Sequence, residues 1–157
     1  MRHFHTLAIA PLARVLARPP DVMIGGPDTP YLRRWWIIPR NRWCNLYLHH
    51  FLRSDDDRAL HDHPWASLSI LLRGRYREHL VTGPGKLTVR LRRPFRPILR
   101  RAVTAHRVAL IDDQPVWTLF ITGPRRREWG FLCPNGWRHW KAFTDPADPG
   151  AIGPGCG

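Results

Sequence analysis

From Tyr31 onward the chain alternates short apolar runs with breaks at Gly, Pro or Asp. The runs cover residues 31–38, 43–52, 65–72, 75–81, 87–91, 103–111, 116–122 and 128–133. Each is rich in Trp, Ile, Leu, Val or Tyr, which suit a pleated, half-buried surface. Short runs with turn signals between them predict an all-β sandwich or barrel. No long helical period interrupts them, which argues against a parallel βαβ topology. Ahead of them, Phe4, Leu7, Ala8, Leu12, Val15 and Leu16 recur at roughly helical spacing among Arg2, Arg14 and Arg18. That pattern predicts a short amphipathic helix broken near Pro19-Pro20. The same stretch is too short in apolar length for a signal peptide, although its Arg-rich, acid-poor make-up is shared by organellar presequences. The chain thus divides into a helix and linker (1–30), a β-domain (31–144) and a Pro/Gly-rich tail expected to be disordered (145–157).

One strand can be read side by side. Arg73, Arg75 and Arg77 alternate with Gly74, Tyr76 and Glu78, so a period of two separates them onto opposite faces. Arginine is the better match for water, which turns Tyr76 and Glu78 inward. A buried carboxylate is costly unless paired or bound to a metal, so Glu78 is a site candidate on physical grounds.

Composition adds a charge argument. The 157 residues hold 25 Lys+Arg against 12 Asp+Glu, a net charge of +13, and Lys86 and Lys141 are the only lysines. Guanidinium groups bind carboxylate and phosphate with a planar fork, which favours an anionic partner: a small anionic substrate or a nucleic acid. Solvated surface arginines are the plain alternative. The three cysteines, Cys44, Cys133 and Cys156, form no CxxC pair. That sparse, odd set argues against a disulfide scaffold and suits a reducing cytoplasm. No apolar run approaches the ~20 residues of a membrane span.

The chemistry centres on His61-Asp62-His63-Pro64. Two His one residue apart on extended backbone project from the same side, so their imidazoles can converge on one ion. His106 lies on another expected strand and completes a candidate triad, which would leave coordination positions open for water, O₂ or substrate. Tyr76 is a candidate general acid, and Arg107, Arg53 and Arg40 are candidates for binding a substrate anion. His49 and His50 share a strand, where a structural role outweighs a ligand role. His79 has the parity opposite to Glu78 and is expected to be exposed. Asp62 should point away from the metal or orient a neighbouring His. His139 belongs to an aromatic turn, Trp35, Trp36, Trp117 and Trp129 read as core, and Asp55-Asp56-Asp57 reads as a solvated loop.

The stretch HDHPWASLSILLRG resembles the first cupin motif, and the stretch from Phe95 to His106 resembles the second, which ends in the third His ligand. Residues 21–144 are also similar to uncharacterised cupin-like proteins of bacteria and phages, through YLRRWWIIPRNRW, HDHPW, GRYREH, AHRV and WTLFITGPRRREWGF. The resemblance implies a small double-stranded β-helix (jelly-roll) barrel with His61, His63 and His106 as metal ligands. It implies one divalent metal ion, Fe(II) being favoured and Zn, Ni or Mn the alternatives, and a homodimer formed through sheet edges. It leaves the activity open among oxygenases, isomerases, epimerases, decarboxylases and plain binders. Ser67 stands where the motif has its Glu, so either the site is a three-His type, like that of thiol dioxygenases, or Glu78 supplies the carboxylate. FRPILRR lacks the usual turn Gly, and Leu110 stands where Asn is common. The expected function is an oxygenase-type mononuclear metal enzyme. The rivals are a Zn- or Mn-dependent isomerase or hydrolase, a metal-free ligand binder, and a basic nucleic-acid-binding module with a structural metal.

Overall fold

A computed structural model of the chain describes residues 12–25, 28–55, 59–83, 85–147, 151 and 153–157. Residues 12–16 are helical (α1), and the helix stops before Pro19-Pro20 as the missing amide of proline requires. The part of the amphipathic pattern at residues 1–11 lies outside the described residues.

Twelve strands follow: β1 (Val22–Ile24), β2 (Leu32–Trp36), β3 (Asn45–Phe51), β4 (Leu60–His61), β5 (Ser67–Arg73), β6 (Tyr76–Gly83), β7 (Lys86–Arg92), β8 (Pro97–Arg100), β9 (His106–Leu110), β10 (Val116–Thr122), β11 (Gly130–Cys133) and β12 (Gly136–His139). A one-turn helix, α2 (Trp140–Phe143), comes after them. One sheet has the order β1-β2-β3-β10-β5-β8 and the other β12-β11-β4-β9-β6-β7. All pairings are antiparallel. This is the all-β jelly-roll that the strand pattern predicts.

All eight predicted runs contain a strand. The four additional strands, β1, β4, β8 and β12, have two to four residues each, too few for a hydrophobic period to show. Alternation is clearest in β10, where Val116, Thr118, Phe120 and Thr122 face inward. In β6, Tyr76 and Glu78 are buried and Arg77 is exposed, as parity predicts. Two close backbone approaches depend on glycine. Gly74 takes φ +87°, where any Cβ would meet the Pro115 carbonyl at 2.9 Å. A Cβ on Gly130 would stand 2.1 Å from the Arg138 carbonyl, so only glycine lets β11 and β12 approach.

The apolar side chains gather in two clusters. Leu71, Tyr76, Ile98, Val108, Leu110 and Val116 form one, with Phe51 against it. Ala59, Phe131, Cys133 and Phe143 form the other, with Trp129, Trp140 and Cys156 against it. On the outside of the first sheet, Trp117 stacks between His50 and Trp35. The Trp35 indole donates to the Arg18 carbonyl at 3.0 Å, which ties the N-terminal segment to that face.

The tail departs from the sequence expectation. Cys133 and Cys156 form a disulfide, and Cys44 is free and exposed. Gly153 and Gly155 both donate backbone N–H to the Phe143 carbonyl at 3.1 Å. The described tail residues are therefore docked on the second cluster rather than disordered. A pairing across 23 residues leaves no motif, which is why cysteine spacing does not reveal it. Among the described residues, no helix is long and apolar enough to cross a membrane. Thiol titration of the native chain should find one reactive cysteine, and three after reduction in denaturant; three in the unreduced native chain would show that Cys133 and Cys156 are unpaired.

Candidate metal centre

β4 places His61 directly opposite His106 of β9 and beside Phe131 of β11. His63 lies just past the strand, but Pro64 behind it disfavours helical backbone and keeps it extended. The His63 amide donates to the Ala102 carbonyl at 3.0 Å, which holds that extension against the turn before β9. The three rings converge: their centroids stand 5.2, 5.1 and 5.1 Å apart. One ligand nitrogen from each lies within 4.8 Å of the other two. His63 Nε2 and His106 Nε2 are 2.9 Å apart.

The electrostatics suit a cation. Burial holds His63 well below its ordinary pKa, with further lowering from His106, His61, Arg100 and Arg34. Burial also pushes His106 down to about 4, although Glu78 pulls the other way. Both imidazoles are thus neutral near pH 7, with lone pairs free to coordinate. The buried His61 Nδ1 has no hydrogen-bond partner, and its closest carboxylate oxygen, on Asp55, is 3.9 Å away. Neutral, converging nitrogens with an unmatched polar atom among them fit a divalent transition metal.

Glu78 is not part of the donor group. Its Oε1 sits 3.0 Å from His106 Nδ1, on the side of the ring away from the nitrogen that faces His63. Arg92 donates Nε to its Oε2 at 2.5 Å, and Arg100 donates Nε to its Oε1 at 2.6 Å. Burial opposes ionisation of Glu78, but the contact with His106 and the charges of Arg100 and Arg92 outweigh it and hold its pKa at about 2. The carboxylate therefore lies behind His106, outside the cluster of converging nitrogens. Among the described residues the site is three-His.

A cavity of about 510 Å³ opens over the triad between the two sheets. Tyr76 lines it, its hydroxyl accepting from Arg100 Nη2 at 3.1 Å, and burial raises its pKa so that it stays protonated. The three arginines expected to bind substrate are not there. Arg107 follows His106 on β9 and so points to the other face of the sheet. Arg53 donates to the Thr29 carbonyl and lies over the Tyr31 ring, and Arg40 lies over the Trp36 ring. The arginines that do line the cavity are Arg34 and Arg100. Arg100 shares its face with buried Ile98, an i, i+2 signal in PILR, while Leu99 is exposed. Arg34 lies beside Arg33, and parity alone cannot say which of two adjacent arginines turns inward.

Other residues sort as follows. His49 faces the cavity and accepts from Arg34 Nε at 2.8 Å, whereas His50 stacks outside on Trp117. Asp62 points away from the triad, accepting from Gly130 N, Arg127 and Trp137 Nε1. It orients β11, not a histidine. His139 caps α2 by accepting from Lys141 N. Asp55 corrects the solvated-loop expectation. It is buried, accepts from Val108 N at 2.7 Å and from the Tyr31 hydroxyl, and lines the cavity. Asp56 and Asp57 lie outside the described residues.

No protein-family model matches the sequence, and no curated protein sequence matches it. Solved structures do match the fold. Oxalate decarboxylase from Bacillus subtilis, described with Mn(II) centres, superposes with a TM-score of 0.54 at 17% identity over 76% of this chain. This chain spans only 31% of that protein's length. A cupin-2 domain protein of Rhodospirillum rubrum gives 0.57 at 14% identity, covering 73% of this chain and 76% of that one. The DMSP lyase DddQ of Ruegeria pomeroyi gives 0.57 at 13% identity, covering 87% and 72%.

Two predictions follow from the charges. Glu78→Gln removes the anion between Arg92 and Arg100, so denaturant titration should show a loss of about 3–5 kcal/mol. The same change should weaken metal binding about tenfold or more by loosening His106. Second, His50 and His106 are both held near 4 against an ordinary 6.5. Below 6.5 the unfolded chain therefore binds protons that the metal-free folded chain refuses. The stability of metal-free protein should be full above about pH 6.5 and fall steadily towards pH 4; a flat profile over that window would count against buried, neutral imidazoles. The strand order, the converging histidines and these structural likenesses together identify the chain as having the cupin fold.

Proposed function

We propose that this chain is a mononuclear non-haem metal enzyme of the oxygenase type, acting on a small anionic substrate held in the cavity between the sheets. The observation that carries this reading is the convergence of three imidazoles beneath an otherwise largely apolar cavity. His61, His63 and His106 would hold the ion. Three neutral ligands leave the ion its full positive charge and several open positions, which suits Fe(II) and the joint binding of O₂ and an anion. The ion, when bound, supplies Lewis acidity and one-electron chemistry.

The remaining roles belong to the chain itself. Glu78, whose Oε1 lies 3.0 Å from His106 Nδ1, would keep the other nitrogen turned to the centre. Tyr76 keeps its proton and can donate it, or hydrogen-bond, to a substrate atom. Phe51, Phe120, Trp129 and Phe131 exclude water from the chamber and so strengthen every polar contact within it.

A second reading, non-redox chemistry at a Zn or Mn ion, is favoured by one finding: the matched folds include a decarboxylase with Mn(II) centres and a lyase. Elemental analysis of protein purified without added metal separates the two. We expect about one equivalent of iron in the wild type and loss of it in His61→Ala/His63→Ala. An equal metal content in both would remove the triad as the site, and zinc or manganese in place of iron would favour the second reading.

A further inference from the structure

Among the described residues, Arg34 is the cavity cation that has no carboxylate partner. Arg100 is committed to Glu78, Ser69 and Tyr76. Asp55 is committed to Val108 N and Tyr31. Arg34, by contrast, donates only Nε, to His49 Nε2 at 2.8 Å, and lays its guanidinium over the Tyr47 ring at 5.1 Å. Neither partner is an anion: one is an imidazole nitrogen and the other an aromatic ring face. Among the described residues, no carboxylate pairs with Arg34.

A guanidinium carries five N–H donors in a rigid fork, so most of this one's capacity is unused. Setting a cation into a protein without a counter-ion costs free energy, which an anion arriving in the cavity would return. The group is firmly built in: Arg34 of β2 stands directly opposite His49 of β3. Its field reaches the metal centre, since it contributes to the lowering of the His63 pKa. Met23, Ile24, Leu32, Phe51 and Phe120 give the same cavity an apolar wall, alongside the polar Ser69 and Thr118.

We propose that Arg34 binds the carboxylate of the substrate, and that the substrate class is a small monocarboxylate with an apolar body. One uncompensated cation matches one negative charge, and the planar fork matches a carboxylate in two-point contact. The apolar wall takes the remainder of the molecule, beside the triad. This assignment rests on the cavity being the substrate site of the metal enzyme and deepens that reading.

The test is isothermal titration of the Zn(II)-loaded full chain with 3-phenylpropanoate, its primary amide and inorganic phosphate. The carboxylate should bind at least about tenfold tighter than the amide, and more tightly than phosphate. Arg34→Met should abolish that preference while elemental analysis shows its metal content unchanged. No measurable carboxylate binding, equal affinity for acid and amide, or a preference that survives Arg34→Met overturns the proposal. Phosphate binding as tightly as the acid, with the same dependence on Arg34, overturns the substrate class. Where Arg34→Met does not fold, Arg34→Gln takes its place, and a preference that it leaves intact overturns the proposal. The same titration on His61→Ala/His63→Ala separates this proposal from the one beneath it. A preference lost there but kept in Arg34→Met belongs to the metal and sinks the Arg34 assignment. A chain that holds no metal yet keeps an Arg34-dependent preference sinks the metal-enzyme reading and leaves the carboxylate site standing.

Discussion

A single buried carboxylate holds the two sheets and the histidine cluster in register. Glu78 of β6 is fully buried, and Arg100 reaches it from β8 of the opposite sheet. Arg92 of β7 reaches it along its own sheet, and His106 of β9 meets it at Nδ1. Arg100 extends the link through Ser69 on one sheet and Tyr76 on the other. Burying these charges is costly, and the cost is offset only because each oxygen of Glu78 is engaged by a cation. A carboxylate at this point contributes more to geometry than to net stability. It sets where His106 aims, and His106 in turn sets where the other two rings must meet it.

That constraint explains the uneven composition of the interior. The apolar clusters lie apart, one built on Leu71 and Val116, the other on Phe131 and Phe143. Between them the inward positions are Ser69, His49, Thr118 and the triad. A jelly-roll of this size can bury a polar strip because the apolar clusters and the antiparallel ladders already hold it closed. The result is a chamber with charge and coordination on some walls and hydrocarbon on the others. Folds of this kind host unrelated chemistries, and identities of 13–17% transfer architecture and not activity. What this chain does must therefore be argued from Arg34, Tyr76 and the three imidazoles.

The strand pattern, the inward turn of Glu78 and the pairing of His61 with His63 were legible in the sequence because each rests on local geometry, whereas His106 entered through the resemblance to the second cupin motif. Period two decides parity over a few residues, and His-x-His on extended backbone needs no distant information. Where two like residues are adjacent, parity is silent, and Arg33-Arg34 could not be sorted in this way. Short strands such as β4 and β8 carry too few positions for a period. Arg107, Arg53 and Arg40 were plausible anion binders by charge alone, but their strands and loops turn them to the outside or onto aromatic rings.

The sequence by itself determined the all-β class, the face on which Glu78 lies and the shared side of His61 and His63, because backbone alternation is a property of consecutive residues; its resemblance to the cupin motifs supplied His106. Only the tertiary structure decided that Glu78 lies against His106 Nδ1, that Cys133 meets Cys156, and that Arg34 faces the chamber with no carboxylate partner among the described residues. Those outcomes depend on which strands become neighbours across the barrel, and long-range proximity is set by the closing of the two sheets over a shared core, not by any spacing along the chain.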